Sequence, residues 1–143
     1  MRGPRGSDYR LRVAQGFLGE ARQDVDLGRW RSAMDNAQLA IENAAKAVLA
    51  LIGPVGRTHA PGVLLRQAIR DGTLIVSDPA SVNRLAELAE LFGFDVHVQT
   101  DYGDEMGGRT PWELFDETDA RQALAMAEEA ANLAQTIIGS VIP

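Results

Sequence analysis

Apolar side chains recur along this chain at three- and four-residue steps, the period of one face of an α-helix, and glycine and proline cut the recurrences into segments. Val13, Ala14, Phe17, Leu18, Ala21 and Val25 share one face of a first helix. Ser7 or Asp8 is its expected N-cap and Gly28 its stop, since glycine takes the left-handed position beyond a helix end at little cost. From Trp30 to Ile52 neither Gly nor Pro intervenes, which predicts a second helix. Its apolar surface is broad. Ala33, Ala37, Ala40, Ala44, Ala47 and Leu51 form one seam, and Met34, Ile41, Ala45, Val48 and Ile52 form the next. Two neighbours are therefore expected against it, and the small side chains let a helix of the same chain or of a second copy come close. Arg31, Asp35, Gln38, Glu42 and Lys46 make a polar stripe on the remaining side.

Gly53-Pro54-Val55-Gly56 stops that helix, and Thr58-His59-Ala60-Pro61 opens a third, whose apolar positions Val63, Leu64, Leu65, Ala68 and Ile69 run to Asp71-Gly72. Ser77-Asp78-Pro79 opens a fourth, with Val82, Leu85, Ala86, Leu88, Ala89 and Phe92 running to Gly93. Val96 and Val98 flank His97 in a brief extended alternation with no second strand to pair with, and Gln99 to Trp112 reads as a Gly-rich acidic loop. Thr118 or Asp119 is the expected cap of a last helix carrying Ala120, Ala123, Leu124, Ala127, Ala130, Ala131, Ala134, Ile137 and Ile138. The expected architecture is all-α: an up-and-down bundle of three long helices with a shorter helical pair inserted, one domain over residues 8–143 behind a flexible tail of residues 1–7.

The length of 143 residues and the 45% apolar content leave room for one core, and folding at this size hides about two thirds of the chain's surface without staples. The absence of cysteine excludes disulfides, iron–sulfur clusters and thiol catalysis and agrees with a reducing, cytoplasmic setting. No run approaches the roughly eighteen apolar residues of a membrane span, and Arg2-Gly-Pro-Arg-Gly6 lacks the apolar stretch of a signal peptide. The net charge of −6 is uneven, +3 over residues 1–31 and −7 over residues 101–143. That balance argues against strong nonspecific binding to nucleic acid by a lone chain and leaves room for a local arginine patch, since every base but Lys46 is Arg.

Candidate chemistry is sparse. The two histidines, His59 and His97, lack helical zinc spacing, so no metal and no cofactor is expected. His59 at a helix start reads first as a capping or anchoring residue, and His97 as a half-buried loop residue. Gln38, Glu42, Lys46 and His59 are the candidate lining of a polar cleft. The default for that stripe is a solvated face joined by a Glu42–Lys46 pair. Trp30 reads as core or dimer packing, with base stacking as the functional alternative. Asp101, Asp104, Glu105 and Glu113 lack calcium-loop spacing and suit a solvated loop facing a basic partner. Tyr102 in that loop is expected buried and hydrogen-bonded, with modification of its hydroxyl as the alternative.

Gly28-Arg-Trp30, Ala33, the run from Asn36 to Ala50, Gly53 and His59 resemble the helical hairpin of HEPN domains, the "higher eukaryote and prokaryote nucleotide-binding" family. Tyr102-Gly-Asp-Glu105, Pro111, Phe115, Asp119-Ala120, Ala123-Leu124 and Ala127 resemble that family's loop and last helix. The resemblance implies a helical bundle, a homodimer, and a partnership with a minimal nucleotidyltransferase in a toxin–antitoxin-like pair. Trp30, Ala33, Ala37, Ala40 and Ala44 are the expected dimer interface. Catalytic members are metal-independent ribonucleases with an Arg followed a few residues later by a His. Here Glu90, Leu91 and Phe92 precede His97 at that interval, and Ile52, Gly53 and Pro54 precede His59. Asp101 also stands where noncatalytic relatives carry an Arg before the tyrosine. The resemblance therefore implies a noncatalytic interaction module with weak nucleotide binding, the nucleotide held in the polar cleft of Gln38, Glu42, Lys46 and His59. The alternative is a ribonuclease with a divergent site of Arg57, His59 and Tyr102.

Overall fold

The computed structural model describes residues 3–141. Among the described residues seven helices follow one another: α1 (Gly3–Asp26), α2 (Trp30–Leu49), α3 (Pro61–Arg70), α4 (Pro79–Leu91), α5 (Phe94–Tyr102), α6 (Pro111–Leu114) and α7 (Glu117–Val141). Among the described residues the one extended pairing is an isolated antiparallel bridge between Asp104 and Arg109. The long helices α1, α2 and α7 form the bundle, with α2 against both others, and α3 and α4 are the inserted pair.

Local chemistry explains the boundaries. Gly28 sits at φ +71°, where its N–H reaches the Val25 carbonyl and the Arg29 N–H reaches that of Asp24, closing α1. Pro61 and Pro79 occupy first turns, where no N–H is missed. Asp116, not Thr118 or Asp119, caps α7: its Oδ1 accepts from the Asp119 N–H while Asp119 Oδ2 accepts from the Asp116 N–H. The first helix starts at Gly3 rather than at Ser7 or Asp8, so residues 3–7 of the expected tail are helical, and Ser7 is fully buried.

Two further expectations are corrected. Val96, His97 and Val98 are helical, because a lone strand would leave its backbone groups unpaired whereas α5 pairs them internally. The alanine seam is filled from within the chain. Ala33, Ala37, Ala40 and Ala44 are no more than 1% exposed, with Ala33 clustered against Val25 of α1 and Ala120 of α7. These four have no surface left for a second copy, and of the expected interface only Trp30 remains partly accessible.

The core is a main cluster rich in alanine and a small one of Val25, Ala33 and Ala120, so the helices lie close, and a bulky addition has nowhere to go. Between α4 and α7, Arg84 grips Glu129 with two hydrogen bonds, 2.7 Å from Nε and 2.9 Å from Nη2, and also pairs with Glu87. The hydrogen bond from Arg84 holds the Glu129 carboxyl below the usual carboxylate range. The contribution of this clamp is therefore present above the ordinary glutamate value and is lost as pH falls through the lowered one.

Candidate functional site

The polar stripe of α2 is not solvated. Gln38 is 1% exposed, and Glu42 and Lys46 are each 8% exposed, because α5 lies across this face and the chain leading into α3 reaches its far end. Burial without partners would be costly, and the side chains answer one another. Gln38 Nε2 donates to Glu42 Oε1 at 3.2 Å, and Lys46 Nζ donates to Glu42 Oε2 at 3.2 Å. Glu42 is the hub of this relay. Gln38 Oε1 accepts no hydrogen bond among the described residues, and Nζ has donors to spare beyond the one that Glu42 takes.

The relay reaches the surface at His59, whose Nδ1 lies 3.5 Å from Glu42 Oε1. Thr58 shapes this entry by accepting the Ala60 N–H on its Oγ1 at 3.0 Å, so the turn is anchored by Thr58 and His59 is free to face Glu42. The four residues read as a polar cleft, Gln38, Glu42, Lys46 and His59, are thus brought together.

Around His59 stands an aromatic cluster that sequence reasoning missed. Its ring lies 5.3 Å from that of Phe94 and 6.1 Å from that of His97, nearly parallel to the latter at 13°. His97 Nε2 approaches Asp101 Oδ2 at 3.9 Å. A cavity of about 300 Å³ opens beside His59 and Phe94, walled by Gly62, Val63 and Glu90. Gly62 is required at that wall, since a Cβ there would meet the Ala86 carbonyl oxygen at 2.7 Å.

Helix α5 is held down at one point. Thr100 is its one fully buried side chain, with Oγ1 2.8 Å from the His97 carbonyl and 3.3 Å from Asp35 Oδ1, and its own carbonyl accepts from Arg31 Nη1 at 2.9 Å. Asp35 and Arg31, the upper members of the stripe, therefore position α5, while the lower members form the relay.

The contacts that the structure shows for His59 are with Glu42, Phe94 and His97, and no ion pair or ring contact joins it to Tyr102 among the described residues. Tyr102 is 66% exposed rather than buried, at the end of α5. No group of three or more His, Asp or Glu side chains suited to a metal ion occurs among the described residues.

The comparisons with known proteins agree with this architecture. A family model described as "HEPN domain" matches residues 7–137. The crystal structure of TT1696 from Thermus thermophilus superposes with a TM-score of 0.70 at 22% identity, covering 91% of this chain and 96% of that one, a likeness of fold. No curated protein matches the chain. None of the described helices is long and apolar enough to cross a membrane.

Proposed function

The chain belongs to the HEPN family, and from that premise we propose that it is a noncatalytic nucleotide-binding module that recognises a base through the Glu42 relay. The carrying observation is the buried Gln38–Glu42–Lys46 relay opening at His59 onto the Phe94 and His97 rings. A nucleobase presents donors and acceptors along one edge and flat faces on either side. His59, where the relay meets the surface and which Glu42 orients, answers the edge, and the Phe94 and His97 rings answer the faces. Glu42 and Lys46 cancel in formal charge, so this site suits the base and leaves the phosphate to other contacts.

Thermal melting with the four free ribonucleosides tests this reading. A nucleoside at about a hundred times its dissociation constant adds about 2.7 kcal/mol, which raises Tm by about 5–10 °C in a domain of this size. His59→Ala leaves the unliganded Tm nearly unchanged, since His59 is exposed, and loses the shift. Absence of a shift with all four nucleosides, or a shift that survives both His59→Ala and Phe94→Ala, contradicts the reading.

One observation favours a second reading. The two near-parallel imidazoles each stand beside a carboxylate, Glu42 and Asp101, as an acid–base pair for RNA cleavage would. Structured and single-stranded RNA incubated with the protein is expected to stay intact. Cleavage that disappears in both His59→Ala and His97→Ala would establish the ribonuclease instead.

The module is further proposed to act as a homodimer beside a minimal nucleotidyltransferase in a toxin–antitoxin-like pair. The support is the family resemblance and the −7 of residues 101–143, which suits a basic partner surface. With the alanine seam occupied internally, the dimer has to use other surface. Light scattering at about 50 µM protein is expected to give twice the chain mass, and a monomer at that concentration contradicts it.

A further inference from the structure

A second cavity, of about 480 Å³, lies at the start of α2, between Arg29, Trp30, Arg31 and Ser32 on one side and Trp112 on the other. Both tryptophans of the chain stand in its walls. Trp112 is 73% exposed, an unusual state for the side chain with the largest apolar surface.

The exposure is built in. Pro111 at the start of α6 and Phe115 just after its end are buried, and Thr110 and Glu113 close a reciprocal capping box across the turn. The Glu113 Oε1 accepts the Thr110 N–H at 3.1 Å, and that bond, followed by the Thr110 side chain, draws the Glu113 carboxyl below the usual range. Trp112 is therefore held outward by a fixed turn.

Arg31 is fixed as well. Its guanidinium lies 5.6 Å from the Trp112 ring centroid, and Nη1 donates to the Thr100 carbonyl, leaving other donors of its fork uncommitted. Arg29 is exposed, and neither arginine forms an ion pair with a carboxylate among the described residues. The nearby Asp24 is buried, and its Oδ2 already accepts from Ser32 and Asn36. In a chain of net charge −6, this is a local cationic corner with an aromatic platform.

We propose that this cavity binds one nucleotide unit, its base stacked on the tryptophan faces and its phosphate paired with Arg29 and Arg31. Guanidinium forks match phosphate oxygens, and an indole stacks on any base, so the pairing recognises a planar anion of this size with little regard to base identity. The unit is a free mononucleotide or the end of a single RNA strand. Residues 31 and 42 are about 16 Å apart along α2, so this site is distinct from the Glu42 relay and stands or falls separately from it.

Tryptophan fluorescence reads this cavity alone, because no tryptophan lies elsewhere in the chain. Titration with adenosine monophosphate, adenosine and a short single-stranded oligoadenylate is expected to give quenching by the phosphate-bearing ligands and little by adenosine. Quenching by the mononucleotide identifies a free nucleotide as a ligand, and quenching by the oligonucleotide alone identifies a strand end. Trp112→Ala, followed through Trp30, is expected to weaken binding about 5- to 150-fold. Arg29→Met removes the advantage of the phosphate, and His59→Ala leaves the quenching as it was. No quenching by either phosphate-bearing ligand at about millimolar concentration, unchanged affinity in Trp112→Ala, or loss of quenching in His59→Ala overturns the proposal.

Discussion

Lys46→Met is expected to destabilise the protein by about 3–5 kcal/mol, the range for removing one partner of a buried ion pair. Glu42 and Lys46 are each 8% exposed and joined at 3.2 Å, so the substitution strands a carboxylate in a face that water barely reaches. In a domain of this size that loss lowers Tm by about 10 °C or more, readable by circular dichroism. The companion experiment separates charge from packing. Adding Glu42→Gln to Lys46→Met leaves no ion in the relay, while the new amide oxygen still accepts from Gln38 Nε2. Most of the lost stability is expected to return. If the double variant is no better than the single one, the defect is lost packing of the lysine stem rather than an unpaired charge.

Gly103→Ala is the second large effect. Gly103 sits at φ +71° and ψ −148°, a region that only glycine occupies without strain. A Cβ there would stand 2.4 Å from the Arg109 carbonyl oxygen and 2.8 Å from the Pro111 nitrogen. Both obstacles are main chain, so relief requires moving the loop itself, and with it the Asp104–Arg109 bridge and the turn that presents Trp112. The expected destabilisation is about 2–4 kcal/mol, with faster proteolytic nicking of residues 103–110. Gly108→Ala is the control. Gly108 has φ +72° but nothing within 4 Å of its Cβ position, so it carries the backbone strain without the clash, about 1–2 kcal/mol. Equal effects at the two positions would mean that the close approach at Gly103 is relaxed without consequence.

The bundle was legible because its signal is periodic and long. The stops at Gly28 and Gly53, the prolines at the starts of α3 and α4 and the alanine face of α7 each follow from one local rule. What failed was short or tertiary. Helix α5 has nine residues and a single buried side chain, too little to show a face. Its three site residues do carry a signal: Phe94, His97 and Asp101 fall at i, i+3 and i+7, one helical side, but only once the segment is read as helix. Gln38, Glu42 and Lys46 share one helical side by spacing and His59 was set beside them as a separate candidate; the structure joins the four, whereas the burial of the first three was not foreseen. Whether a polar stripe meets water or another helix depends on where α5 lands, and α5 is placed by Thr100, Asp35 and Arg31, residues up to 69 positions apart. The dimer seam failed for the same reason. Small residues announce a close neighbour, not whose helix it is.

The central claim is that the Glu42 relay reads a base. It is tested most directly by nuclear magnetic resonance of the Gln38 side-chain amide and the His59 and His97 rings during titration with a nucleoside. Saturable shifts are expected at all three, largest at His59, and they vanish in Glu42→Gln because the hub no longer accepts as a carboxylate. Shifts confined to the Trp30 and Trp112 indoles, with the Gln38 amide and both imidazoles unmoved, would contradict it.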